Sequence, residues 1–116
     1  MRRSIFIVAW LMVTHCAHAA TISVEPASGG QLAVVLMDGD LEPTDSDQFR
    51  SKTNFLSKAI IAFRSDGGSV VAGIQIGESI RLKGFTTFVP ENARCASACA
   101  LAWLVERNVS WRLGRR

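Results

Sequence analysis

The sequence predicts an α/β fold built on a largely parallel sheet, and three observations carry that expectation. Two short continuous apolar runs, Leu32 to Met37 and Ala59 to Phe63, read as strands, the first buried on both faces as in parallel sheets covered by helices. Helical spacing takes over afterwards, most clearly from Val70 to Ile80. Glycine- and proline-containing breaks separate these segments, so strands and helices alternate along the chain.

Thr21 to Val24 alternates weakly and reads as a short strand before the Pro26-Ala-Ser-Gly-Gly30 turn. Leu32 to Met37 follows as the first buried strand, broken by Asp38-Gly39-Asp40. Thr44 with Asp47 three residues on resembles a helix start, with Phe49 and Leu56 as inward contacts. Ala59 to Phe63 is the next strand and runs into Ser65-Asp66-Gly67-Gly68. Val70, Gly73, Ile74, Gly77 and Ile80 are then spaced as one helix face, with both glycines placed for close approach of a neighbouring element. Lys83-Gly84 stops that helix. Phe85 to Val89 reads as another strand, ended by Pro90, and Ala96 to Leu104 as the last helix.

Residues 1–19 read as a secretory signal peptide. Arg2 and Arg3 give a basic start, Ile5 to Val13 an apolar run, and Ala17-His18-Ala19 a small-x-small cleavage signal, which places the cut between Ala19 and Ala20. The apolar run holds nine residues, whereas a spanning helix needs roughly 20, so no stable membrane anchor is expected. His15 beside Cys16 argues against a lipoprotein signal. The expected location is periplasmic or secreted.

The formal charge of +3 falls to +1 without Arg2 and Arg3. Residues 20–104 carry −2, while residues 105–116 carry +3. With no basic stripe through the body, nucleic-acid binding is not expected. Cleavage would also remove Cys16, His15 and His18, leaving Cys95 and Cys99 and no histidine. Two thiolates fall short of a zinc site, so no metal or other cofactor is expected. An even cysteine count in an exported protein favours a Cys95–Cys99 disulfide, against a reactive pair or two small buried hydrophobes. The aspartates at 38, 40, 45 and 47 cluster without the spacing of a calcium loop and read as a solvated surface.

Two turns carry chemistry. Gly67-Gly68-Ser69 opens one helix and Ala96-Ser97-Ala98 opens another, and helix starts present unpaired N–H groups that favour a negative oxygen. A serine on one turn and glycines on the other match a nucleophile beside oxyanion donors. Ser97 reads equally as a plain helix N-cap, and Gly67-Gly68 as a tight entry turn without a ligand.

Ser65-Asp-Gly-Gly-Ser-Val-Val-Ala-Gly-Ile-Gln-Ile-Gly77, the Thr86-Thr-Phe-Val strand and the Ala96-Ser97-Ala98 turn resemble the ClpP/crotonase superfamily. The similarity is closest to exported ClpP-like periplasmic proteins and spans roughly Leu32 to Leu104. The resemblance implies repeated ββα units and a serine peptidase type of site. Ser97 falls on the family's nucleophile, and the N–H groups of Gly68 and Ala98 fall on its oxyanion hole. A peptide or acyl substrate and homo-oligomers among full-length relatives are implied as well.

The chain departs from the family at three places. Asp66 stands where the family has proline, and the Cys95–Cys99 pair brackets the serine. The family's histidine and aspartate lie beyond the elbow, on segments with no counterpart here. Residues 20–104 therefore read as a partial ClpP-like domain, incomplete at its C-terminus, and 105–116 as a basic tail outside the family pattern, as a truncated or frameshifted gene would produce. Lys58 and Lys83, the alternative bases, match no family position. The expected state is an inactive or truncated serine hydrolase. A non-catalytic binding module and a non-functional fragment are the alternatives.

Overall fold

Alternation of apolar residues decides where the sheet forms and which side the helices cover. The computed structural model describes residues 19–29 and 32–104. The leader to residue 18 with His15, Cys16 and His18, the turn residue Gly30, and the tail 105–116 lie outside the described residues. Within them the order is β1 (Thr21–Glu25), β2 (Ala33–Asp38), α1 (Asp45–Thr53), β3 (Ala59–Arg64), α2 (Val70–Lys83), β4 (Thr86–Phe88) and α3 (Ala98–Leu104). The α/β class holds, with a four-stranded mixed sheet in the order β1-β2-β3-β4. β1 pairs antiparallel with β2, while β2–β3 and β3–β4 are parallel.

Register puts Ala33 beside Ala59, Val35 beside Ile61 and Met37 beside Phe63. These six side chains are buried and form the helix-covered face, with Ile22 of β1 opposite Met37. Phe49 of α1, Ile76 and Ile80 of α2, and Phe85 fill the layer above them. Removing a ring such as that of Phe49 from this layer costs about 4 kcal/mol.

The other sheet face corrects the expectation that Leu32 to Met37 is buried on both sides. Val34, Leu36, Ile60 and Phe88 share it through the register, and Val34 and Phe88 are exposed. Among the described residues no helix covers it fully, so β2 buries only alternate positions.

The face of α2 also differs from the expected one. Val70 and Ile74 are exposed, and Ala72, Gly73, Ile76, Gly77 and Ile80 are buried. Val70, Val71 and Ile74 make the helix apolar on nearly every side, so periodicity alone did not fix its rotation. Gly73 does: a Cβ there would lie 2.3 Å from the Ala98 carbonyl oxygen, so α3 must pass directly over it. Ser69 caps α2 by accepting the Ala72 N–H at 3.2 Å, and Gly84, at φ 67°, ends it.

At α1 the expected start holds, with Thr44 at the cap position, but its side chain bonds no helix N–H. Asp45, the first helical residue, instead reaches back to the chain before the helix, its Oδ2 accepting from the Glu42 N–H at 2.7 Å. Leu56 packs on the core from the loop after α1 instead of from the helix. Lys83 Nζ donates to the carbonyls of Thr53, Asn54 and Leu56 at 3.0 to 3.1 Å, satisfying the end of α1.

Beyond the strand ends, three isolated parallel bridges join Ala19 to Asp40, Leu41 to Gly68 and Ser65 to Cys95. Each parallel strand thus runs on through a bend into a further bridge before its helix begins. This repeat gathers the Leu41, Gly68 and Cys95 segments at one end of the sheet.

Candidate active site

Ligands in parallel α/β sheets collect at the carboxyl ends of the strands, and both sequence-marked turns lie there. The Gly67-Gly68 turn is built by Ser65, which is buried. Its Oγ accepts the Gly67 N–H and donates to the Gly67 carbonyl, both at 3.2 Å. Gly67 and Gly68 have φ of 126° and 120°, a backbone region that L side chains rarely adopt. A Cβ on Gly68 would lie 2.3 Å from the Leu41 carbonyl oxygen.

Leu41 grips the turn from one side, donating to the Gly67 carbonyl and accepting from Ser69 N–H, both at 2.7 Å. In a parallel bridge of this pattern the intervening residue's own N–H points away from its partner. The Gly68 N–H is therefore turned from Leu41 and donates to no group among the described residues.

The second turn is clamped to the first. Ser65 N–H donates to the Arg94 carbonyl at 2.8 Å, and Ala96 N–H donates to the Ser65 carbonyl at 3.0 Å. The Cys95–Cys99 disulfide then ties the bridge residue to the first turn of α3, with Cα atoms 5.2 Å apart. Between them Ser97 takes φ 54°, a left-handed conformation unusual for serine. That residue ends the extended segment, so α3 starts at Ala98, two residues later than the expected Ala96.

The serine and the glycine turn meet. A Cβ built on Gly67 would lie 2.9 Å from Ser97 Cβ and 3.3 Å from its Oγ. Ser97 is exposed, and its hydroxyl makes no hydrogen bond among the described residues, so it does not cap α3. Ala98 supplies the first N–H of α3, without an intrahelical partner. The structure thus brings Ser97 against Gly67, with Gly68 and Ala98 as the adjoining backbone positions.

Asp66 does not face the turn as a bare carboxylate. Arg94 donates from Nε to its Oδ1 at 2.7 Å. That hydrogen bond, followed by the guanidinium charge, holds the Asp66 carboxyl below its ordinary value. Asp38 is paired with Arg64 across the β2–β3 register, which lowers its pKa too, chiefly through the hydrogen bond. Asp47 pairs with Arg50.

No histidine occurs among the described residues. Lys83 is committed to the end of α1, and Lys58 precedes β3, at the opposite end from the Ser65 turn. With six strand residues between, that separation is about 20 Å. A depression of about 260 Å³ lined by Arg50, Thr53, Asn54, Ser79, Leu82 and Lys83 also lies at the far end of α2.

Sequence reasoning marked Ser97, Gly68, Ala98 and the cysteines, and gave Ser65, Leu41 and Arg94 no role in the site. Ser65 sits inside the quoted motif, but its inward hydroxyl follows from the bridge to Cys95, a contact between distant segments. Comparison with protein-family models, with curated proteins and with solved structures finds no match for this chain.

Proposed function

We propose that the chain is an exported ClpP-like domain of serine-hydrolase descent that binds a peptide or acyl carbonyl at Ser97 without turning it over. Ser97 Oγ approaches the carbonyl carbon, while the N–H groups of Gly68 and Ala98 receive its oxygen. The observation that carries the reading is the exposed, left-handed Ser97 seated on Gly67 and held by the Cys95–Cys99 bond. Strain of this kind, of order 1–3 kcal/mol, persists where surrounding structure enforces it and gathers at functional positions. The lack of a base beside Ser97 among the described residues supports binding over turnover, since a serine hydroxyl needs proton removal to attack.

Calorimetry with a peptide boronate tests this directly. The wild type is expected to bind and Ser97→Ala to lose at least tenfold in affinity, with no hydrolysis of a peptide ester by either. Equal binding by both proteins would overturn the reading.

The partly open sheet face favours a second reading, a domain that completes itself with another copy or with further chain. A cooperative thermal melt that does not change with protein concentration would dismiss it.

A further inference from the structure

Asp45 is the most deeply enclosed ionisable group of the described fold, fully buried at the first position of α1. Its Oδ2 accepts from the N–H of Glu42 and, at 3.3 Å, from the N–H of Ala20. Its Oδ1 is buried with no hydrogen-bond partner. No lysine or arginine pairs with it among the described residues. A buried carboxylate so placed is costly unless a cation meets it.

The group already resting on it belongs to Ala20, the residue that follows the small-x-small cleavage signal Ala17-His18-Ala19. Ala20 is itself buried, with Gly39 packed against its Cα. We infer that Asp45 is the acceptor for a new N-terminus: hydrolysis of the Ala19–Ala20 bond turns the Ala20 amide into an ammonium that pairs with the Asp45 carboxylate. The inference rests on the export reading within the proposed function. In the cleavage a signal peptidase adds water across the peptide bond. Ala19 keeps the hydroxyl as a carboxylic acid, and Ala20 leaves as an amine, which takes up a proton at neutral pH. The ammonium offers three donors where the amide offered one. One holds Oδ2 as before and another reaches the orphaned Oδ1. Processing thereby supplies the missing countercharge, and the mature domain is more stable than its precursor.

The full chain, exported from a bacterial host, provides the test in four forms: wild type, Asp45→Asn, a single glycine inserted between Ala19 and Ala20, and the two changes combined. The insertion leaves the Ala20 amide in place and moves the charge one residue away. Intact mass is expected to show a wild-type product starting at Ala20. In urea the insertion is expected to lower the folded-to-unfolded ratio at least about tenfold, and in the Asp45→Asn background to change it little. A product still carrying the leader would overturn both the export reading and this inference. Cleavage at Ala20 with no effect of the insertion would overturn this inference alone, leaving carbonyl binding at Ser97 untouched. Should Asp45→Asn fail to accumulate, the insertion in the wild-type background decides, since it keeps the carboxylate.

Discussion

At the scale of single residues, contact between Ser97 and Gly67 sets what the site tolerates. Gly67→Ala puts a methyl 2.9 Å from Ser97 Cβ at φ 126°, so either the serine or the turn must move. The expected result is a loss of about 1–3 kcal/mol of stability, measured by urea unfolding, together with loss of boronate binding. Asp66 and Arg94 give the site a pH signature. The folded-state pKa of Asp66 lies below the 3.8 of the free group, so its stabilisation is present above that value and fades as pH falls through the folded pKa. Asp66→Asn should therefore differ from wild type at neutral pH and converge with it only as the pH falls from 3.8 through the lowered folded value, in melts recorded across that range. Both side chains are largely exposed, so added salt should shrink the difference.

At the scale of elements, the pair α2–α3 carries the geometry of the site. Gly73→Ala would set a Cβ 2.3 Å from the Ala98 carbonyl oxygen, which is backbone and cannot swing aside. Separation of the helices would shift the Ala98 N–H, so binding should weaken along with stability. Reduction of the Cys95–Cys99 bond releases a short loop, worth about 2 kcal/mol in the chain-entropy account. Thermal melts with and without reductant should show that loss, which Cys99→Ala should abolish.

These elements also show what was legible in the sequence. The strand over Ala59–Arg64, the stop at Gly84 and the disulfide followed from local chemistry, because apolar runs, a left-handed glycine and cysteine spacing act over a few residues. The rotation of α2 did not, because Val70 and Ile74 are as apolar as the residues that face inward. Nor did the left-handed turn at Ser97 or the clamp by Ser65, which arise from the bridge between residues 65 and 95. Asp45 looked like one of four surface aspartates, and only the approach of β1 reveals it as buried.

At the scale of the whole molecule, the sheet is covered on one side and partly open on the other. Val34 and Phe88 lie exposed beside Leu36 and Ile60, a contiguous apolar strip of the kind that binds hydrophobic dyes. Val34→Thr with Phe88→Thr should lower dye fluorescence in the folded state while leaving the melting transition cooperative.

The central claim is that a carbonyl-like oxygen bound at Ser97 is held by two named backbone groups. Amide proton and nitrogen shifts recorded during titration with a peptide boronate read those groups one by one. The account predicts that the Gly68 and Ala98 amides move together in the wild type and stay fixed in Ser97→Ala. Shifts confined to other residues, or the same shifts in Ser97→Ala, would contradict it.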